Sequence, residues 1–181
     1  MRICHFATIA ALLVISCVAA APQSLSAQAI PAPLAASSTD APILRLSVTP
    51  NHFESLNAAD LGALPHKTIT CHNAHTNADE TYSGVPLTDL LAKYGVPTGD
   101  KLHGKPLSEY LVATGSDGYK AVLALAETDP SFHPGDVIVA DTVGGKPIDA
   151  KDGPFRLIVS EDKRPARCVH NLVSIELRTA E

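Results

Sequence analysis

Beyond residue 42 the hydrophobic positions fall mostly in short runs separated by Gly, Pro, Asn and Asp, the rhythm of strands and turns and not of long helices. Ile43-Leu44-Arg45-Leu46-Ser47-Val48 alternates and predicts a strand that Thr49-Pro50-Asn51 ends. Asn57 can cap a short helix through Ala58-Ala59-Asp60-Leu61, closed by Gly62 or Pro65. Lys67-Thr68-Ile69-Thr70-Cys71 is β-rich and leads into a polar loop running from His72 to Glu80. After Thr81-Tyr82-Ser83-Gly84-Val85-Pro86, the residues Leu87, Leu90, Leu91 and Tyr94 share one helical face. Pro86 suits the first turn of that helix and Gly95 its end.

Tyr110 to Thr114 and Tyr119 to Leu125 predict two strands around the turn Gly115-Ser116-Asp117-Gly118, and Asp136 to Asp141 predicts another after the Asp129-Pro130 break. Gly144-Gly145 can supply the positive φ angles of a tight hairpin leading into Lys146-Pro147-Ile148. The last two strands lie in Gly153 to Leu177. About seven strands against one clear helix and one or two short ones predict a strand-rich α+β domain, not a doubly wound sheet. No internal repeat is visible.

The first 29 residues read differently. Arg2, an apolar run from Ala7 to Ala21 and the small-residue sequence Ala27-Gln28-Ala29 predict a cleaved secretory signal and a periplasmic or secreted product. The run is short for a membrane span. Val14-Ile15-Ser16-Cys17 resembles a lipobox, which would instead lipidate Cys17, although Val18-Ala19-Ala20-Ala21 continues the apolar run where a lipoprotein would end it. Residues 30–42, rich in Pro, Ala and Ser, predict a flexible tether, which leaves 43–181 as one domain. The formal net charge of −5 includes Arg2, the only charge in the signal, so cleavage takes it to −6. That balance disfavours nucleic acid as a partner.

Positive charge is therefore local. Between the last two strands stand Lys163, Arg164 and Arg167, a cationic loop suited to a small anionic ligand, Arg through planar bidentate hydrogen bonds and Lys as a point charge. Cys71, His72, His75 and Asp79 form a compact set of potential zinc or copper ligands, but without the spacing of a zinc finger, and solvated loop polarity is the simpler reading. His52, His66, His103, His133 and His170 are scattered and read as surface or turn residues.

Taken together, Thr68-Ile69-Thr70-Cys71, Tyr82-Ser83-Gly84-Val85-Pro86-Leu87 with Asp89-Leu90-Leu91, Ser116-Asp117-Gly118-Tyr119 and Gly153-Pro154-Phe155-Arg156-Leu157-Ile158-Val159 resemble the molybdopterin-binding domain of the sulfite oxidase family, in its small secreted form. The resemblance spans Ile43 to Leu177. It implies a mixed α+β oxidoreductase domain that holds a molybdopterin cofactor and acts on a small substrate, with a redox partner protein. In that reading Cys71 is the thiolate on molybdenum, Lys163, Arg164 and Arg167 hold the cofactor's phosphate, and Asp117 and Tyr119 face the pocket as groups that could orient an oxyanion or move a proton. Asp117-Gly118 is also simply what a tight turn requires. A second reading keeps the fold without the metal. Removal of Cys4 and Cys17 with the signal leaves Cys71 and Cys168, whose disulfide would exclude ligation and leave a cofactor-free cationic binding module.

Overall fold

The computed structural model describes residues 42–50, 52–73 and 77–181. The expected signal, the lipobox cysteine Cys17, and the tether up to residue 41 lie outside them. No helix among the described residues is long and apolar enough to cross a membrane.

Two five-stranded sheets build the domain, with strand order β2-β1-β10-β5-β6 in the first. Here β1 (Leu44–Thr49) runs parallel to the C-terminal β10 (Leu172–Thr179), and β2 (His52–Leu56), β5 (Glu109–Gly115) and β6 (Lys120–Ala124) complete it antiparallel to their neighbours. The second sheet places β3 (Lys67–Asn73) beside β4 (Ala78–Pro86) and β4 beside β7 (Val137–Val143). The far edge of β7 is shared by β8 (Lys146–Pro147) and β9 (Arg156–Val159). Helices are short: α1 (Ala58–Gly62) and α2 (Leu87–Lys93). The strand-rich α+β expectation is met.

Local chemistry accounts for most boundaries. Asn57 Oδ1 accepts from the backbone N–H groups of Ala59 and Asp60, and Asp60 Oδ2 accepts from Asn57 N–H, a capping box that fixes the start of α1. Pro86 ends β4 and stands as the N-cap residue of α2, and Gly95 follows that helix at φ 84°. Gly144 and Gly145 both take positive φ (56° and 76°), which lets β7 turn back into β8.

Two differences from the sequence reading have physical reasons. β2 was not expected; His52-Phe53-Glu54-Ser55-Leu56 has no clean apolar alternation because it is an edge strand, and only Leu56 is buried. The polar segment from His72 to Glu80 is largely not a loop, because β3 and β4 continue their pairing outward to Asn73 and Ala78 through cross-strand bonds between polar side chains. His72 donates to Asp79 at 2.9 Å, and Asn73 Nδ2 donates to Glu80 Oε1 at 2.8 Å.

The main core lies between the sheets: Leu44, Leu46, Leu111, Leu123 and Ile175 from the first meet Val85, Val139 and Leu157 from the second, with Leu87, Leu90 and Leu91 of α2. The second sheet has another apolar face. Ile69, Tyr82, Ile138, Ala140, Ile148 and Ile158 form a smaller cluster there, and Cys71 and Cys168 pack against it. That is why Val137-Ile138-Val139-Ala140 is buried throughout while β6 alternates.

The β4 strand changes its partner register between Ser83 and Gly84. A Cβ at Gly84 would stand 2.2 Å from the Val139 carbonyl oxygen and 2.4 Å from the Ala140 Cα, so the close approach of β4 to β7 needs glycine.

Candidate functional site

The second apolar face carries a cavity of about 330 Å³. Cys71 and His72 from β3, Glu80 and Tyr82 from β4, Arg156 and Ile158 from β9, Asp117 and Tyr119 from the turn before β6, and Pro165, Cys168 and His170 from the closing segment line it. Four of the stretches singled out in the sequence thus converge on one cavity.

Arg156 organises one wall. Its guanidinium lies 5.0 Å from the centre of the Tyr82 ring, and Nη1 donates to the Tyr82 hydroxyl at 2.9 Å. Nη2 donates to His170 Nε2 at 2.9 Å. Because a guanidinium can only donate, His170 must accept at Nε2 and carry its proton on Nδ1, which then faces Asp152 Oδ1 at 3.2 Å. Arg156 Nε is buried with no hydrogen-bond partner. A buried cationic N–H left unpaired is costly, and an acceptor entering the cavity would relieve that cost. Sequence reading placed Arg156 in the family stretch but gave it no role. The available signal was a lone Arg opening an otherwise apolar strand.

The Tyr82 hydroxyl donates in turn to Glu80 Oε2. Burial is the main reason its phenol is raised above its ordinary value, and the Glu80 acceptor adds to it, so Tyr82 stays a neutral donor.

Cys71 and Cys168, which line the same cavity, are both free thiols. Burial pushes the Cys71 thiol up to about 11, and the nearby Cys168 and Glu161 push the same way. Cys168 is raised mainly by burial, against the lowering effect of the Val159 N–H that donates to its sulfur at 3.4 Å. Neither thiol is an activated nucleophile; each is held neutral, and a bound cation would release the proton.

Lys163, Arg164 and Arg167, the residues expected at a phosphate, are not among those that line the cavity. Arg167 makes a two-pronged contact with Asp162 (2.8 and 2.6 Å) and reaches Glu127 at 2.9 Å. Those carboxylates already satisfy it, and it braces the closing loop. Lys163 and Arg164 are exposed beside Pro165 and do not line the cavity. Asp117 and Tyr119 do line it, but Asp117 Oδ1 accepts from Tyr119 N–H at 2.9 Å and Tyr119 donates its hydroxyl to Ala166 O at 2.5 Å. Tyr119 is thus a strap across the cationic loop. Of the potential zinc or copper ligands, His72 is bonded to Asp79 and His75 lies outside the described residues; among the described residues no group of three or more His, Cys, Asp or Glu could hold a metal.

The model of the oxidoreductase molybdopterin binding domain matches residues 43–181. The chain belongs to this family. No curated protein matches it. Among solved structures the domain is similar to the sulfane dehydrogenase SoxCD from Paracoccus pantotrophus, at 20% identity and a TM-score of 0.56 over 75% of this chain. The match spans 38% of the SoxCD chain, so it bears on the fold of this domain and not on the whole of that protein.

For a pterin cofactor the molybdopterin-binding domain offers a cavity on the scale of a small-molecule site, a soft sulfur donor in Cys71, and a buried unpaired N–H on Arg156 for an anionic or carbonyl oxygen. These residues fit the group in kind.

Proposed function

We propose that the chain is a periplasmic molybdopterin-dependent oxidoreductase domain acting on a small substrate, with its cofactor in the cavity on the second sheet. The observation that carries this reading is the presence in one cavity of the free Cys71 thiol and of Arg156, whose Nε is buried and without a hydrogen-bond partner. Cys71 would ligate the metal as a thiolate. Arg156 would grip an oxygen of the cofactor, with its plane held by Tyr82 and its far nitrogen by His170. Lys163 and Arg164, beside the cavity-lining Pro165 and in no ion pair among the described residues, are the charges available for a phosphate at the rim. When bound, molybdenum in its dithiolene would supply two-electron oxygen-atom or electron transfer. The protein's own part is to orient and neutralise: Tyr82 and His170 fix Arg156, while Tyr119 and Arg167 fix the loop that carries Cys168. A redox partner protein would take the electrons.

The test is purification from a cell that synthesises the cofactor. Near-stoichiometric molybdenum and an oxidised-pterin fluorescence signal are expected in the wild type, with both reduced about tenfold or more in Arg156→Met. Protein that folds normally, is exported to the periplasm and contains neither would remove the reading.

The cofactor-free alternative joins Cys71 to Cys168 and leaves an anion-binding module. Its support is that both sulfurs line one cavity, and the free state of both thiols weighs against it. Mass measurement of the periplasmic protein before and after reduction separates the two: a pair of hydrogens gained on reduction would favour the module.

A further inference from the structure

Cys71 and Cys168 arrive at the cavity from different elements, one in β3 and the other from the loop braced by Arg167 and Tyr119. Both rest on the apolar cluster of Ile69, Tyr82, Ile138 and Ile158 and face the same space. The harder donors around them are already committed. Glu80 accepts from Tyr82 and Asn73, Asp117 from Tyr119 N–H, and His170 Nε2 is occupied by Arg156, while His72, tied to Asp79 through Nδ1, is exposed and does not rest on the apolar cluster. On its apolar floor, what the cavity offers an incoming ion is therefore sulfur.

We propose that Cys71 and Cys168 form a two-coordinate site for a soft monovalent d¹⁰ cation of the copper(I) or silver(I) class. Soft thiolates select such ions, and an ion content with two sulfurs needs no third ligand. Zinc would need about four ligands, and no group of three or more candidate donors is assembled among the described residues. In the binding step two S–H bonds break and two metal–sulfur bonds form. Two protons leave to solvent, no electron is transferred, and the product is an anionic bis-thiolate. The fixed positive charge of Arg156, which lines the same cavity, offsets that anion. Cys71 serves one metal at a time, so the soft cation and molybdenum exclude each other. The two readings stand apart, because Cys168 is needed for the soft cation and not for the cofactor.

The experiment uses reduced protein lacking residues 1–29, so that Cys71 and Cys168 are its only thiols, produced without cofactor synthesis and titrated anaerobically with silver(I), a redox-inert probe. One equivalent is expected to bind, with a thiolate-to-metal absorption band, release of two protons and protection of both thiols from a chromogenic disulfide reagent. Cys71→Ser and Cys168→Ser should each weaken binding by roughly 100-fold, the upper end of what losing a supporting residue costs a metal site. Excess zinc should not compete. Thermal melts of each variant confirm that it folds. Undiminished binding in Cys168→Ser, or loss of binding in His72→Ala with both serine variants unaffected, would overturn the proposal. So would a wild type whose two cysteines are joined as isolated and which takes up silver no better after reduction. Molybdenum retained by Cys168→Ser in cofactor-producing cells, with silver binding lost, is the expected separation of the two readings.

Discussion

The two sheets are built from similar strands and do different work. In the first sheet β6 alternates strictly: Ala121 and Leu123 are buried, while Val122 is 54% exposed on the outer face. Its inner face holds the main core, and the outer face carries Arg45 stacked on Phe53 with its guanidinium carbon 4.0 Å from the ring centre. The second sheet is apolar on both faces, and its second face bears the thiols, the Arg156–Tyr82–His170 group and the cavity. A sheet with a single core face has a scaffolding role. A sheet buried on both faces can set reactive groups on a rigid base and still keep a core behind them.

The largest expected effect lies where β4 meets β7. Gly84→Ala would drive a Cβ into backbone atoms of Val139 and Ala140, and should cost at least about 3 kcal/mol in chemical denaturation. Gly118→Ala, on an open turn, is the comparison, with φ strain but nothing within 4 Å of the added Cβ, and should cost less. Next, Ile138→Ala should lose about 2–3 kcal/mol if the second face is a true core, while Val122→Thr on the outer face of the first sheet should stay within about 0.5 kcal/mol. Equal losses at the two sites would erase the distinction between the sheets.

Arg167→Ala should destabilise by about 1–3 kcal/mol, since it strips hydrogen bonds from two carboxylates and unfastens the loop that carries Cys168. Its pH signature has a definite sign. The Arg167 hydrogen bond holds Asp162 below its ordinary value of 3.8, so this contribution is present above that value and is lost as pH falls through the folded value. The variant should show a flatter acid limb in denaturation midpoints. The smallest effect belongs to His66. Both ring nitrogens face oxygens, Nδ1 toward Leu64 O at 2.8 Å and Nε2 toward Asp141 Oδ2 at 3.0 Å, an arrangement that suits the doubly protonated ring. The Asp141 hydrogen bond raises its pKa above 6.5, so its contribution is full below that value and fades as pH rises through the folded value. His66→Gln should flatten stability between neutral and mildly alkaline pH without touching the cavity.

Much of the fold could be read from the sequence because it is written in local chemistry. The Asn57 cap, the Leu87-Leu90-Leu91 face and the Gly144-Gly145 turn need only neighbours along the chain. β2 escaped notice because an edge strand has little to bury. The site was legible as a set of stretches but not as a set of roles. Charge density pointed to Lys163, Arg164 and Arg167, yet the partners of Arg167, Glu127 and Asp162, appear only when the chain is folded. Arg156, flanked by apolar residues in sequence, becomes the half-buried cation of the cavity because Tyr82 lies 74 positions before it and packs against it in space. Burial and long-range pairing are the two quantities that spacing along one chain does not encode.

The central claim is that Cys71 is the metal-ligating thiol of a cofactor cavity on the second sheet. Mass-spectrometric footprinting with iodoacetamide tests it, by comparing folded protein from cells that make molybdopterin with protein from cells that do not. Labelled at alkaline pH, where its raised thiol begins to ionise, Cys71 should be alkylated after reduction in the second preparation and protected in the first, with protection lost when the cofactor is removed. Equal alkylation of Cys71 in both preparations would contradict the account.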